Sequence, residues 1–162
     1  MANIIWNELS VRGKKFALQG FRIQAAKRDP SVHHTDNGCG VNTGEVLSFW
    51  NFKRPDVLDM DAYTAPSKGA AMKDPRNWYN WNAENWGTKW DALEVSRSER
   101  ADAFGLRDVF VFRTAWAPPI PVFEAMLSQY PELQLQLKYV DEEGHGATLT
   151  GHGPIWIRTA TH

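Results

Sequence analysis

The chain has one cysteine, no long apolar run and almost no net charge, and each shortage excludes something. A lone Cys39 cannot build an internal disulfide framework, and it fits a reducing compartment. No stretch approaches the roughly 18–20 apolar residues that span a bilayer, so no membrane partner is expected. The opening residues MANIIWNELSVRG lack the basic start and small-residue cleavage site of a signal peptide, which points to a soluble protein of the cytoplasm. A net charge of −1 argues against a general nucleic-acid binder, which would carry a basic excess, and leaves specific protein contacts open. The length of 162 residues fits one domain, 1–162, with material for a sizeable core.

What the chain has in surplus is tryptophan. Four of its eight lie in the fifteen residues Asn77–Asp91, NWYNWNAENWGTKWD, with Tyr79 among them. Exposed indole is costly, so this block is either packed or used for binding. Asp74 is placed to cap a helix, Pro75 suits its first position, and Gly87 suits the left-handed residue past its end. The spacing predicts a helix over 75–86 with Trp78, Trp81, Asn82, Asn85 and Trp86 on one broad face. Asparagine inside an aromatic stripe needs partners. Two readings follow: amides that tie down neighbouring loops, or an exposed aromatic–amide surface that recognises a partner.

Alternation and breaker residues give the remaining elements. Residues 3–12 read as a strand with Ile5, Asn7, Leu9 and Val11 on one face. Residues 14–27 read as a helix with Phe16, Ala17, Gly20, Phe21 and Ile23 inward. The loop 29–44 carries His33, His34, Asp36 and Cys39 at a spacing that matches no zinc pattern, so no metal is expected. Residues 45–52 read as a second strand and 53–73 as an irregular insertion, which with the Trp helix covers about 53–88. Strands are expected over 89–97 and 108–116, and 98–106 reads as a turn-rich connection. A helix carrying Val122, Phe123, Met126, Leu127 and Tyr130 follows. Then come a strand alternating Leu133, Leu135, Leu137 and Tyr139, and a terminal hairpin. This order predicts an α+β, ferredoxin-like antiparallel sheet with helices on one face, plus a Trp-rich helical insertion.

Three stretches resemble a family of small phage, prophage and plasmid proteins with a ferredoxin-like domain, the YubB-like proteins among them. They are Asn7-Glu8-Leu9-Ser10-Val11-Arg12-Gly13, Asn85-Trp86-Gly87-Thr88-Lys89-Trp90-Asp91, and Thr114-Ala115-Trp116-Ala117-Pro118-Pro119. The resemblance implies the ferredoxin-like fold and a home on mobile genetic elements. It carries over no catalytic residues and no cofactor. One departure is Gly144-His145-Gly146-Ala147, with a longer tail, where the family ends on an acidic-Gly-hydrophobic pattern.

Chemistry is hard to assemble from these residues. A two-histidine phosphoesterase needs a His-x-Thr/Ser on each of two strands, and His33-His34-Thr35 has no second half at His145 or His152. A Cys39–histidine pair lacks an orienting group. Phe110 and Phe112 could imitate the base-stacking platform of RNA-recognition sheets, although the flanking basic-glycine pattern is missing. The leading expectation is therefore a non-enzymatic binding protein of a mobile element that engages a host protein. Its most concrete form is a counter-defence inhibitor of the anti-CRISPR or anti-restriction type. A single-stranded nucleic-acid-binding accessory protein and a phosphoesterase-like enzyme are the alternatives. The expected partner surface combines Lys53, Arg54, Lys68 and Lys73 with Asn82, Glu84, Asn85 and Lys89.

Overall fold

Period-two alternation places the same strands in two environments, and this decides the architecture. A computed structural model describes residues 3–27 and 45–161. The elements are β1 (Ile4–Arg12), α1 (Lys15–Ala25), α2 (Met60–Thr64), α3 (Trp78–Asn85), β2 (Leu93–Asp102), β3 (Gly105–Ala115), α4 (Ile120–Gln129), β4 (Gln134–Val140), β5 (Gly146–His152) and β6 (Ile155–Thr161). They form one antiparallel sheet in the order β2-β3-β1-β4-β5-β6. Its first four strands, with α1 and α4 as the crossovers, have the ferredoxin-like βαββαβ order. The tail adds β5 and β6 as a meander on the β4 edge.

Register sorts the side chains. Leu9 on β1 stands beside Phe110 on β3 and Leu137 on β4, and all three are buried under α1 and α4. Phe21 of α1 meets Phe110 at 5.7 Å between ring centroids, and Phe123 of α4 meets Trp156 of β6 at 6.4 Å. Both helices therefore lie on one face. In α1 the buried residues are Leu18, Phe21 and Ala25. Phe16 and Ile23 point outward, 88% and 74% exposed, because the inward stripe is phased on Leu18. Gly20 does not pack on the sheet either: its nearest neighbour is the Tyr130 ring, whose hydroxyl donates to the Gly20 carbonyl.

Two expected boundaries change. Residues 45–52 form no strand but lead into a 3-10 turn, Phe49–Asn51, with Leu47, Phe49, Trp50 and Phe52 all buried. A run buried on every side does not alternate, and strand-forming residue types alone misplace it. The insertion thus sits between α1 and β2, which leaves the βαββαβ order cleaner than the sequence suggested. The charged stretch Ser96–Asp102, expected partly as a loop, is the outer arm of the β2–β3 hairpin. Its exposed residues hid the strand because an edge has little apolar face to show.

The insertion packs on the helix side. Phe49 lies 5.8 Å from Phe112 of the sheet and 5.9 Å from Trp86, so one hydrophobic cluster runs from β-strand to insertion. Phe110 and Phe112 are consequently core, 0% and 2% exposed, and offer no platform. On the opposite face no described element covers the sheet.

Candidate functional site

The asparagines of the insertion work mostly as ties. Helix α3 starts at Trp78, later than Asp74 and Pro75 suggest, because Asn77 caps it and Asp74 turns back onto Arg76. The Asn77 amide donates to the carbonyls of Ala62 and Ala65, and the Asn80 amide donates to those of Met72 and Asp74. Asn82 is fully buried, accepting from the Tyr63 hydroxyl at 2.8 Å and donating to the Lys89 carbonyl at 3.0 Å. Burial, with help from the nearby Asp91 charge, pushes the Tyr63 phenol well above its ordinary range. The Trp86 indole donates to the Lys53 carbonyl at 2.7 Å. Asp91 accepts from Ser48 Oγ and from the Phe49 and Ala92 amides, anchoring the entrance and exit of the insertion together.

Three separated stretches meet here. Asn7 of β1 donates to Thr114 Oγ1 at 3.0 Å, and Thr114 donates to the Ala117 carbonyl. The Lys89 amide reaches the Ala115 carbonyl at 3.3 Å. Gly87, at φ +79°, leaves no room for a side chain, since a Cβ would stand 2.9 Å from Pro121 and 3.2 Å from the Pro118 carbonyl. The left-handed residue expected past the helix thus also packs closely against the third stretch.

Where these stretches reach the surface they make an aromatic enclosure around a cation. The Lys89 ammonium lies 4.6 Å from the Trp90 ring centroid, 5.3 Å from Trp116 and 5.9 Å from Tyr79. Tyr79 and Trp116 also touch edge to face at 5.6 Å. Trp116 is 38% exposed and holds φ +79°, a left-handed backbone that a bulky residue rarely adopts. Its amide donates to the Asn3 carbonyl at 2.7 Å, which helps fix that conformation. Such strain costs of order 1–3 kcal/mol and persists only where surrounding structure over-determines it. Three π faces on one ammonium offset part of that cost, each contact being worth about 0.5–1 kcal/mol at an exposed site.

Residues 85–153 match a family model, described as the ferredoxin-like domain in Api92-like protein. The match covers less than half of the chain. It begins at Asn85, takes in Lys89, Trp90 and Trp116, and ends after β5. No curated protein and no solved structure gives a significant match to the chain. The matched stretch and the coordinates agree on a ferredoxin-like domain. Asn7 and Tyr79, which complete the site, lie outside the matched residues.

The structure divides the predicted partner surface. Lys89 sits in the enclosure, with Glu84 exposed and Asn85 half-buried on the preceding helix, the Asn85 amide returning to the Trp81 carbonyl. Asn82 leaves the surface altogether, because its burial makes it a strut between Tyr63 and Lys89. Lys53 and Arg54 belong to the turn after Asn51, and Lys68 and Lys73 bracket the 3-10 segment Gly69–Lys73. These four sit on two other segments of the insertion. His145 and His152 flank opposite ends of β5, about 20 Å apart at strand rise, so they do not converge on one phosphate. His33, His34, Asp36 and Cys39 lie outside the described residues. Trp116 was missed as a surface residue. Its signal was available, as the one large aromatic in an otherwise small, proline-bound turn.

Proposed function

We propose that this protein is a non-enzymatic binding protein that captures a host protein through the Tyr79–Lys89–Trp90–Trp116 surface. The observation that supports it is the exposed Trp116, held at positive φ beside an ammonium already seated among three rings. Strain kept at an exposed aromatic suits a contact residue better than a packing residue. Trp and a cation together fit a partner patch that pairs apolar surface with a carboxylate, Lys89 still having its N–H donors to give. The finer reading is a counter-defence inhibitor of the anti-CRISPR or anti-restriction type, made by a phage, prophage or plasmid and acting in the bacterial cytoplasm. It is supported by the three stretches that resemble mobile-element proteins, now seen to meet at one place.

The test uses the full chain as bait in host lysate, next to Trp116→Ala and Lys89→Met. Both variants are expected to stay folded, with a loss of no more than about 3 kcal/mol, and to lose the captured protein. A partner held equally by all three sinks the surface. The finer reading predicts that expression raises phage plating or plasmid entry in a host with an active restriction or CRISPR system. Unchanged plating across such hosts rejects it.

A further inference from the structure

The sheet face opposite the helices carries a charge pattern that the near-neutral composition hides. Register puts Arg12 of β1 directly opposite Arg107 of β3, and Arg107 directly opposite Arg100 of β2. Three guanidinium side chains therefore stand in one cross-strand row, at spacings of roughly 5 Å between Cβ atoms. Like charges directly opposite destabilise a sheet, so a row of three needs anions. The protein supplies one. Asp102 takes two hydrogen bonds from Arg12, at 2.6 and 2.7 Å, and faces Arg107 Nε at 3.8 Å, too far for a hydrogen bond. Arg107 Nη1 donates to Ser10 Oγ at 3.1 Å, while its buried Nε is left without an acceptor.

The same face continues along β1 and β3 to Trp6, 41% exposed, with the Arg113 guanidinium 5.9 Å from its ring centroid. Lys138 of β4 lies on the way, opposite Glu8. From Arg12 to Trp6 the path is roughly 20 Å at strand rise. Across the face, five basic residues meet three acidic ones, counting the Glu94 that reaches Arg113. The chain as a whole has a net charge of −1.

We propose that this open face binds single-stranded nucleic acid, the arginine row taking backbone phosphates and Trp6 stacking a base. A flat, polyanion-attracting track that ends on an exposed indole matches the chemistry of an unpaired strand. A phosphate backbone needs charges in series, and an unstacked base needs a ring face. A duplex hides its base faces and cannot use Trp6. A folded acidic protein can use the arginines, but it does not require an indole set about 20 Å from them along the strand. This surface is separate from the Lys89 enclosure, so either proposal survives the failure of the other.

The experiment follows fluorescence anisotropy of a labelled oligothymidylate about fifteen nucleotides long, titrated with the full chain at low and at moderate salt. Anisotropy is expected to rise, with an affinity that falls with salt at about −0.7 in log–log slope for each phosphate held. Trp6→Ala should weaken binding roughly tenfold and Trp6→Phe much less, the lost stacking being that of a single base. Arg100→Glu should flatten the salt slope as well as weaken binding. Both positions are exposed enough to leave the melting curve in place, which the same samples check. No binding at low salt overturns the proposal. So does a Trp6→Ala variant that binds like the parent, or displacement of the strand by polyglutamate at equal charge concentration.

Discussion

The two sides of this sheet are built from alternate residues of the same strands, and they are held by different forces. On the covered side Leu9, Phe110 and Leu137 stand side by side with at most 1% of their surface exposed. On the open side their sequence neighbours Glu8, Val111 and Lys138 meet solvent, Val111 at 43%. The covered side gains from removing apolar area from water, at roughly 25 cal/mol per Å², and it spends that gain on a buried polar scaffold of asparagines and Asp91. The open side carries exposed and charged side chains around a buried Val109, and its arrangement of charge is not the one that maximises stability. Side chains kept in an unfavourable row are better understood through what they meet than through what they hold up.

If that contrast is right, substitutions should rank by side. Trp86→Ala removes the ring that joins Phe49, Trp50 and Trp81 and is expected to cost about 3–5 kcal/mol in chemical denaturation. A loss below about 1 kcal/mol would mean the insertion is not anchored there. Asn82→Ala removes the hydrogen bonds to the Tyr63 hydroxyl and the Lys89 carbonyl, at roughly 1–3 kcal/mol for each buried group. If it melts like the parent, Asn82 is no strut. Asp102→Asn tests the open side through pH. The Arg12 hydrogen bonds first, then the Phe104 amide, and last the charges of Arg12 and Arg107 hold the Asp102 carboxyl down at about 2. A depressed carboxylate stabilises the fold above its unfolded pKa of about 4 and loses that contribution as pH falls toward 2. The parent and Asp102→Asn should therefore differ modestly at neutral pH and converge in thermal melts between about pH 4 and 2. Parallel curves would show that the carboxylate contributes nothing. Lys138→Ala, fully on the open side, should stay within about 0.5 kcal/mol of the parent; a larger loss would show that something packs on that face.

Part of this was readable from residue order. Strand alternation in β1 and β4, the continuous apolar run of β3, the proline-started α4 and the glycine closing α3 are local signals. They come from backbone geometry and from which side chains share a face, so they survive without tertiary context. The sheet's ferredoxin-like order also followed, because short connections and crossovers leave few alternatives. The inward phase of α1, the turn at Phe49–Asn51 and the extent of β2 did not follow. Each depends on which neighbours the segment meets, and propensity is weak against packing.

The functional surfaces divide in the same way. The amino-acid order alone determined that the tryptophan block needs partners, since indole and amide groups cannot be left unsatisfied. Only the folded chain decided which of them face outward. Lys89 becomes an enclosed cation because β3 brings Trp116 beside it, and the arginine row exists only because antiparallel register aligns residues 12, 100 and 107. Charge is summed along a sequence but acts through space. A chain with almost no net charge can therefore present one strongly basic line once its strands are paired.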